Sequence, residues 1–302
     1  MSSKSSFWLL IFSLLLPSWG QSSDLSCRLK SRPGLTKLEL KISGDATELA
    51  AKLSAKGFSC DRPAPSYERG VRCRGKLAAY PEAVNIFIPS QFEKKNSLPV
   101  ALHFHGHNTG CERGTPECHF NVVNGDGDYG KFLTDSGANT LLVMPESQGR
   151  DDTFKSFFKK PQDLDLLMNA VKETVGVQSW DSLSLSSHSG GDAVMDRLAR
   201  WYESDQKGAL LQKLRSVALF DSLYADREGV AQWPAAMKKE NPSSRFLGSY
   251  VVGPGASTVK HMKWLRTRVP DTEQWQFREV RTTHMAIMKD GGMSDYLRDS
   301  CR

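Results

Sequence analysis

The chain has 302 residues, of which 39% are hydrophobic and 25% charged, and its formal net charge at pH 7 is +6. This composition excludes a disordered or fibrous chain, and the length suits one large α/β domain with room for a small appendage. The basic residues are dispersed and form no basic-aromatic stripe, so nucleic acid is not an expected partner, whereas an anionic cell-wall polymer is compatible with the charge.

The N-terminus is organised like a secretory signal peptide. Lys4 supplies a positive charge, Phe7–Leu16 is almost wholly apolar, and Ser18 and Gly20 are small residues where a signal peptidase reads the chain. We predict a signal peptide over residues 1–20 and a mature protein that is secreted or periplasmic. The apolar run is too short for an uncleaved anchor, and we expect no membrane span elsewhere.

Six cysteines follow the signal, and an even number in an exported chain indicates disulfides. Proximity in sequence favours Cys60–Cys73 and Cys111–Cys118, which leaves Cys27–Cys301 to join the two ends. The sequence does not decide the connectivity. The spacings do not match the cysteine pairs of zinc sites, so zinc is the weaker interpretation.

Residues 21–80 predict a small N-terminal β-α-β-like extension or subdomain. The expected elements are a strand over Leu35–Ile42, a helix over Ala46–Lys56 with Asp45 and Glu48 as a capping box, a turn at Cys60–Pro63 and a strand over Gly70–Gly75. This order resembles about half of the small sporulation-related repeat that binds peptidoglycan glycans. The alternative is an extension packed on a catalytic domain over residues 81–302.

From residue 81 the pattern repeats as strand, loop and helix. The predicted strands are Ala83–Pro89, Pro99–His105, Thr140–Pro145, Leu183–Ser187, Ser216–Phe220, Arg245–Val252 and Gln274–Thr282. The predicted helices are Tyr129–Ser136, Asp163–Val175, Asp192–Tyr202, Ala209–Leu214, Ala231–Lys239, Ser257–Arg266 and Met293–Arg298. Strands that alternate with helices predict an α/β fold with a mostly parallel central sheet and helices on both faces.

The most informative segment is the pentapeptide Ser187–Gly191, which has a serine, Ser189, at its centre. It follows a predicted strand and precedes a predicted helix, as a nucleophile elbow does. So sharp a turn needs small residues two positions before and after the serine, and Ser187 stands where Gly is usual. The turn would expose the hydroxyl of Ser189 and direct the backbone N–H of Gly190 at the same reacting atom.

A serine nucleophile needs a base to take its proton and an acid to orient that base. His284 follows the last predicted strand and is the candidate base, whereas His261 lies in a predicted helix. Asp221 directly follows the strand after the elbow strand and is the candidate acid. Asp271, beyond the next helix, is the alternative.

The segment His105-Gly106-His107-Asn108 follows a strand and predicts the second half of an oxyanion hole, with the N–H of His107 acting beside that of Gly190. His103, His105 and His107 alternate as metal ligands could, but the Asp of the metallo-β-lactamase motif is absent. Asn124–Asp128 hints at calcium without the complete EF-hand pattern. We therefore predict no metal and no cofactor.

Taken together, His105-Gly106, the pentapeptide and the chain order Ser189, Asp221, His284 resemble the α/β-hydrolase superfamily over about residues 81–290. The resemblance implies a serine hydrolase without a cofactor, and an ester, small or polymeric, is the favoured substrate. An amidase or peptidase acting on envelope peptides would use the same triad. A non-catalytic envelope-binding protein with this fold is the third interpretation.

Overall fold

The computed structural model describes residues 42–61, 70–106, 129–147, 154–284 and 286–299. The predicted signal peptide, nearly all of the predicted strand Leu35–Ile42, and the disulfides Cys111–Cys118 and Cys27–Cys301 lie outside these residues. Within these ranges, no helix is both long and apolar enough to cross a membrane.

Nine strands form one sheet in the described residues. They are β1 Ser59–Asp61, β2 Val71–Leu77, β3 Tyr80–Ile88, β4 Ser97–Phe104, β5 Leu141–Pro145, β6 Ser179–His188, β7 Leu214–Phe220, β8 Arg245–Val251 and β9 Trp275–Val280. The order across the sheet is β1-β2-β3-β5-β4-β6-β7-β8-β9. The strands from β4 to β9 pair in parallel, whereas β1, β2 and β3 are joined by antiparallel pairing.

Eight α-helices accompany the sheet in the described residues. They are α1 Gly44–Ala55, α2 Tyr129–Ser136, α3 Gln162–Val175, α4 Asp192–Glu203, α5 Glu228–Glu240, α6 Val259–Arg268, α7 Ile287–Asp290 and α8 Met293–Asp299. Residues of α1, α3, α4, α5 and α6 belong to one buried apolar cluster, and those of α2, α7 and α8 to another. Successive residues of β7 alternate between them: Val217 and Leu219 belong to the first, Ala218 and Phe220 to the second. The predicted α/β fold with helices on both faces is thus confirmed.

The N-terminal elements differ in detail from the predicted ones. Helix α1 begins at Gly44, and the side chain of Ser43 caps it by accepting the N–H of Ala46 at 3.1 Å. Asp45 instead accepts the backbone N–H of Lys94 at 2.7 Å, and Glu48 pairs with the same lysine. The predicted capping box was therefore wrong, because both of its carboxylates bind a neighbouring loop.

Two further local predictions were wrong. Of the expected turn Cys60–Pro63, Cys60 and Asp61 belong instead to β1, which pairs with β2 and carries the confirmed disulfide Cys60–Cys73, and the remaining two residues lie outside the described ranges. The expected helix Ala209–Leu214 contains only a 3₁₀ turn over Leu211–Lys213. The N–H groups of Ala209 and Leu210 donate to the carboxylate of Asp165 on α3 and not to carbonyl groups of a helix.

The predicted division at residue 80 stays a prediction. The described part of residues 21–80 contributes β1 and β2 to the edge of the common sheet, and α1 to the first core cluster. Strand β2 pairs with β3 along its whole length, with a register shift at Lys76/Leu77. Covering this side of the sheet is thus one physical role of the segment.

The strand order reverses between the neighbouring strands β4 and β6. Beyond β4 the sheet continues with β5, and beyond β6 it continues in the other direction with β7. In parallel α/β sheets, ligands bind outside the carboxyl ends of the strands at such a point of reversal. The segments His105-Gly106 and Ser187–Gly191 lie at the carboxyl ends of these two strands.

Candidate active site

Ser189 lies in a strained turn at the end of β6. Its φ is 52°, a left-handed conformation that a residue with a side chain adopts only when its surroundings impose it. A 3₁₀ turn over Ser189–Gly191 follows, and α4 begins at the next residue. This is the strand, tight turn and helix that the pentapeptide predicts.

The residues on both sides of the turn explain its composition. A Cβ at Gly191 would lie 2.9 Å from the Cβ of Ser187 and 3.0 Å from the carbonyl oxygen of Phe104, so this position has no room for a side chain. Ser187 is buried, and its hydroxyl lies 2.8 Å from that of Ser222 in a hydrogen bond. The departure from Gly at this position is accommodated because the hydroxyl has a buried partner.

Gly106 brings the end of β4 against Ser189. A Cβ at Gly106 would overlap the Cβ of Ser189 and lie 2.8 Å from its Oγ. The absence of a side chain therefore lets the backbone approach the serine. His107, whose N–H is the predicted second oxyanion donor, lies outside the described residues. Gly190 stands in the 3₁₀ turn before α4, where N–H groups are free of the helical ladder.

His284 and Asp221 form a close pair. Nδ1 of His284 lies 2.5 Å from Oδ2 of Asp221, although the two residues are 63 positions apart. The imidazole is partly exposed, with 37% of its side chain accessible, whereas the carboxylate is 5% accessible. Nδ1–H is the donor to the carboxylate in this pair, which leaves Nε2 free to accept a proton.

The surroundings of Asp221 favour its ionised form. Burial by itself would raise the pKa of this carboxyl, but hydrogen bonds from His284, the hydroxyl of Thr258 and the N–H of Val251 outweigh burial and lower the pKa below its usual value. The residue has a φ of 46°, and its own N–H donates to the carbonyl oxygen of Ser249 at 2.7 Å. The chain thus imposes a strained backbone that directs the carboxylate towards His284.

Asp271, the alternative acid, lies elsewhere. It precedes β9, whose N-terminal end faces the opposite edge of the parallel sheet from Ser189, and it pairs with Arg266 at 2.9 Å. His261 binds Asp226 at 2.8 Å through Nδ1. Neither of these pairs includes Asp221 or His284.

His188, directly before the serine, was not identified from the sequence. Its ring stacks on that of His284, and its Nε2–H donates to the main-chain oxygen of His284 at 3.0 Å. Burial, followed by the nearby imidazole of His284, lowers the pKa of His188 to about 4. His188 is therefore neutral and supports the loop that carries His284.

The histidines at the end of β4 have partners that a metal would displace. His103 is fully buried, with Nδ1 2.8 Å from the hydroxyl of Ser186. Nδ1–H of His105 donates to the oxygen of Gly106 at 2.7 Å, and its Nε2 accepts the N–H of Ser147 at 3.1 Å. Burial lowers the pKa of both histidines. Within the described ranges no cluster of three His, Cys, Asp or Glu side chains has metal-site geometry.

Tyr224 is another site residue that the sequence did not reveal. Its hydroxyl lies 3.5 Å from Oγ of Ser189, and its ring meets that of His284 edge-on with centroids 6.5 Å apart. It lies four residues after the end of β7 in an irregular loop, where no periodicity or motif marks it. Only the return of this loop over α4 brings it to the serine.

Comparisons with solved structures found similar folds at low sequence identity. Esterase B from Lactobacillus rhamnosis shares 9% identity over 86% of this chain and 97% of its own, with a TM-score of 0.46. A feruloyl esterase module from Clostridium thermocellum shares 10% identity over 91% of this chain and 93% of its own, with a TM-score of 0.46. An alpha-beta serine hydrolase homologue from Coxiella burnetii shares 14% identity over 75% of this chain and 95% of its own, with a TM-score of 0.44.

No protein-family model and no curated protein matches the sequence. The described residues form a mostly parallel sheet in which Ser189 follows β6, Asp221 follows β7 and His284 lies after β9. This order of elements and residues resembles that of the α/β-hydrolase fold.

Proposed function

We propose that the protein is an exported serine hydrolase that cleaves a carboxylic ester through a Ser189-His284-Asp221 triad and an acyl-enzyme. The observation that carries the proposal is the 2.5 Å contact between Nδ1 of His284 and Oδ2 of Asp221, at the sheet edge where Ser189 occupies its strained turn. A serine in a tight turn, an acid and an imidazole, in the chain order Ser189, Asp221, His284, are the components of an acyl-transfer site.

Acylation begins with proton transfer. Nε2 of His284 takes the proton of the Ser189 hydroxyl as Oγ attacks the ester carbonyl, and Asp221 stabilises the imidazolium that forms. The carbonyl oxygen becomes an oxyanion, which accepts hydrogen bonds from the N–H groups of Gly190 and His107. When the intermediate collapses, the acyl–oxygen bond breaks and His284 returns the proton to the departing alcohol.

Deacylation repeats the same steps with water. His284 takes a proton from the water as its oxygen attacks the acyl carbonyl, and then protonates Oγ of Ser189 as the acid leaves. The low pKa of Asp221 supports this role, because a carboxylate that stays ionised keeps the imidazole in its working tautomer through both half-reactions.

The proposal is tested by labelling with a fluorophosphonate, which reacts covalently with an activated serine. The wild type should be labelled and Ser189→Ala should not. Ser243→Ala is the matched control, since Ser243 is an exposed serine that hydrogen-bonds Asn241 in the turn before β8. An unlabelled wild type, or full labelling of Ser189→Ala, contradicts the proposal.

Ester hydrolysis is separated from amide hydrolysis by matched substrates. Acetate, butyrate and benzoate esters are compared with the corresponding anilides or peptide amides under the same conditions. Faster turnover of the esters supports an esterase; turnover of amides at comparable kcat/KM would assign the site to an amidase or peptidase.

Export is supported by the signal-like N-terminus and the Cys60–Cys73 disulfide, and fractionation of the native host would test it.

A further inference from the structure

Tyr224 offers an exposed aromatic ring at the candidate site. Tyr224 and Leu166 are the large hydrophobic side chains that the described residues expose, with 40% and 51% of their surfaces accessible. Leu166 lies on α3, whereas the hydroxyl of Tyr224 lies 3.5 Å from Oγ of Ser189. A tyrosine combines an apolar ring with a hydrogen-bonding tip, so it suits a ligand that has both kinds of surface.

The loop that carries Tyr224 is held from below by α4. The buried carboxylate of Asp192, first residue of α4, accepts the N–H of Tyr224 at 3.2 Å and Nε of Arg227 at 2.9 Å. Asp226 in the same loop binds His261 of α6 at 2.8 Å. Because these contacts hold the loop at Tyr224 and directly after it, the ring is presented in a defined position.

Tyr224 lies beside the two groups that would meet the departing alcohol, Oγ of Ser189 and the imidazole of His284. In the mechanism proposed above, His284 delivers its proton to the alcohol oxygen, so that oxygen must lie beside the imidazole. Tyr224 contacts both this imidazole, edge-on, and Oγ of Ser189. Gly106, which leads into the predicted oxyanion loop, packs against Cβ of the same serine.

We propose that Tyr224 is a specificity-determining residue that binds the alcohol part of the ester, and that the preferred alcohol carries a second oxygen close to the scissile one, as in a monoester of a polyol or sugar. The inference rests on the proposed esterase function. The Tyr224 hydroxyl donates a hydrogen bond to the second oxygen, and its exposed ring packs against the carbon skeleton. Tyr224 transfers no proton; the proton that the alcohol gains comes from His284.

The free energy of burying the Tyr224 hydroxyl favours an alcohol that carries a second oxygen. An alkyl alcohol that covered Tyr224 would remove its O–H from water and leave it only the long contact with Oγ of Ser189, at 3.5 Å, and a poorly matched buried polar group costs free energy. We expect an oxygen one ethylene unit from the scissile oxygen to come within hydrogen-bond reach of this hydroxyl, because the scissile oxygen leaves from the carbon that Oγ attacks.

The test uses pairs of esters that share an acyl group and differ by one oxygen in the alcohol. 2-Methoxyethyl butyrate carries the oxygen-bearing alcohol, and n-butyl butyrate is its isosteric all-carbon partner. The ratio of kcat/KM for the methoxyethyl ester to that for the butyl ester is measured in the wild type and in Tyr224→Phe. The different acidities of the two alcohols cancel in this comparison.

We expect the ratio to fall about fivefold to tenfold in Tyr224→Phe, which is the usual effect of losing one hydrogen bond. Tyr202→Phe, which removes a hydroxyl from α4 beside Lys207 and Trp233, is the matched control and should leave the ratio unaltered. The ratio should fall by the same factor when another acyl group replaces butyrate in both esters of the pair.

An unchanged ratio in Tyr224→Phe, with both esters still hydrolysed, overturns the inference and leaves the esterase proposal standing. Equal losses for both esters also overturn it, because the hydroxyl would then act only on the position of His284 or Ser189. A wild type that hydrolyses none of the esters and takes no fluorophosphonate label contradicts the proposed function, and the inference falls with it.

Discussion

The imidazole rings of His188 and His284 are stacked, with centroids 4.5 Å apart and planes inclined by 29°. The residue before the candidate nucleophile therefore supports the candidate base directly. Since His188 also donates to the main-chain oxygen of His284 at 3.0 Å, the end of β6 holds the loop that follows β9. Five predictions follow from this arrangement and from its neighbours.

The first concerns acid stability. His188 has a pKa of about 4 in the folded protein against 6.5 for an ordinary histidine. Between these values the unfolded chain binds the proton and the folded protein does not, so the free energy of unfolding decreases as the pH falls from about 6.5 to about 4. The contribution is about 3 kcal/mol for this group. Urea titrations at several pH values measure it. In His188→Gln the free energy of unfolding should decrease less steeply as the pH falls. An unchanged pH dependence would contradict the role of His188 in acid stability.

The second concerns strain at Ser189. A φ of 52° costs a residue with a side chain about 1 kcal/mol, and glycine does not pay this cost. Ser189→Gly should therefore unfold at a higher temperature than Ser189→Ala, although neither variant has a nucleophile. Differential scanning calorimetry of these two inactive variants gives the difference in melting temperature, which reports the backbone strain at residue 189. Equal or reversed melting temperatures contradict strain at this position.

The third concerns the approach of Gly106. Because a Cβ here would overlap Cβ of Ser189, Gly106→Ala should displace the serine or the loop and lower kcat/KM by about 100-fold or more. The matched control is Gly44→Ala at the start of α1, where an added Cβ meets nothing within 4 Å. Activity and circular dichroism are compared for both variants. Full activity in Gly106→Ala would show that this contact is not needed.

The fourth decides between the two candidate acids. Asp221→Asn leaves His284 without an anionic partner, and kcat should fall by about 10³-fold to 10⁴-fold, as triad acids generally show. Asp271→Asn breaks only an exposed pair with Arg266 and should retain full activity. Steady-state kinetics on one ester suffice. If the loss accompanied Asp271→Asn instead, the acid assignment would be wrong.

The fifth concerns the disulfide Cys60–Cys73, which closes a loop with a sequence separation of 13 between β1 and β2. Replacing both cysteines with serine should lower the free energy of unfolding by about 3 kcal/mol, since the unfolded chain loses its restraint. Chemical denaturation of the wild type and the double variant checks this value. Ester hydrolysis by the folded double variant should persist, because the pair lies at the far edge of the sheet from β6.

Local pattern was enough to predict much of this protein. The strands from β3 to β9 and the helices from α2 to α8, apart from the short α7, were predicted from hydrophobic periodicity, because each of them buries one face or both, and the boundaries differ by a few residues. The serine turn was predictable for a similar reason, since small residues around Ser189 reflect a steric demand of a few consecutive residues. Predictions failed where a group distant in sequence took up the hydrogen bonds of a predicted element. In the predicted helix Ala209–Leu214, the carboxylate of Asp165 binds the N–H groups of Ala209 and Leu210.

Reading the chain alone yields the order of the candidate site: a small-residue turn bearing Ser189, an aspartate at one strand end and a histidine after the last strand. The folded molecule was needed to show that Asp221, not Asp271, meets His284, that His188 supports the loop of His284, and that Tyr224 reaches the serine. These contacts join residues from different loops. Their distances depend on strand order and on anchors such as Asp192, which no local pattern encodes.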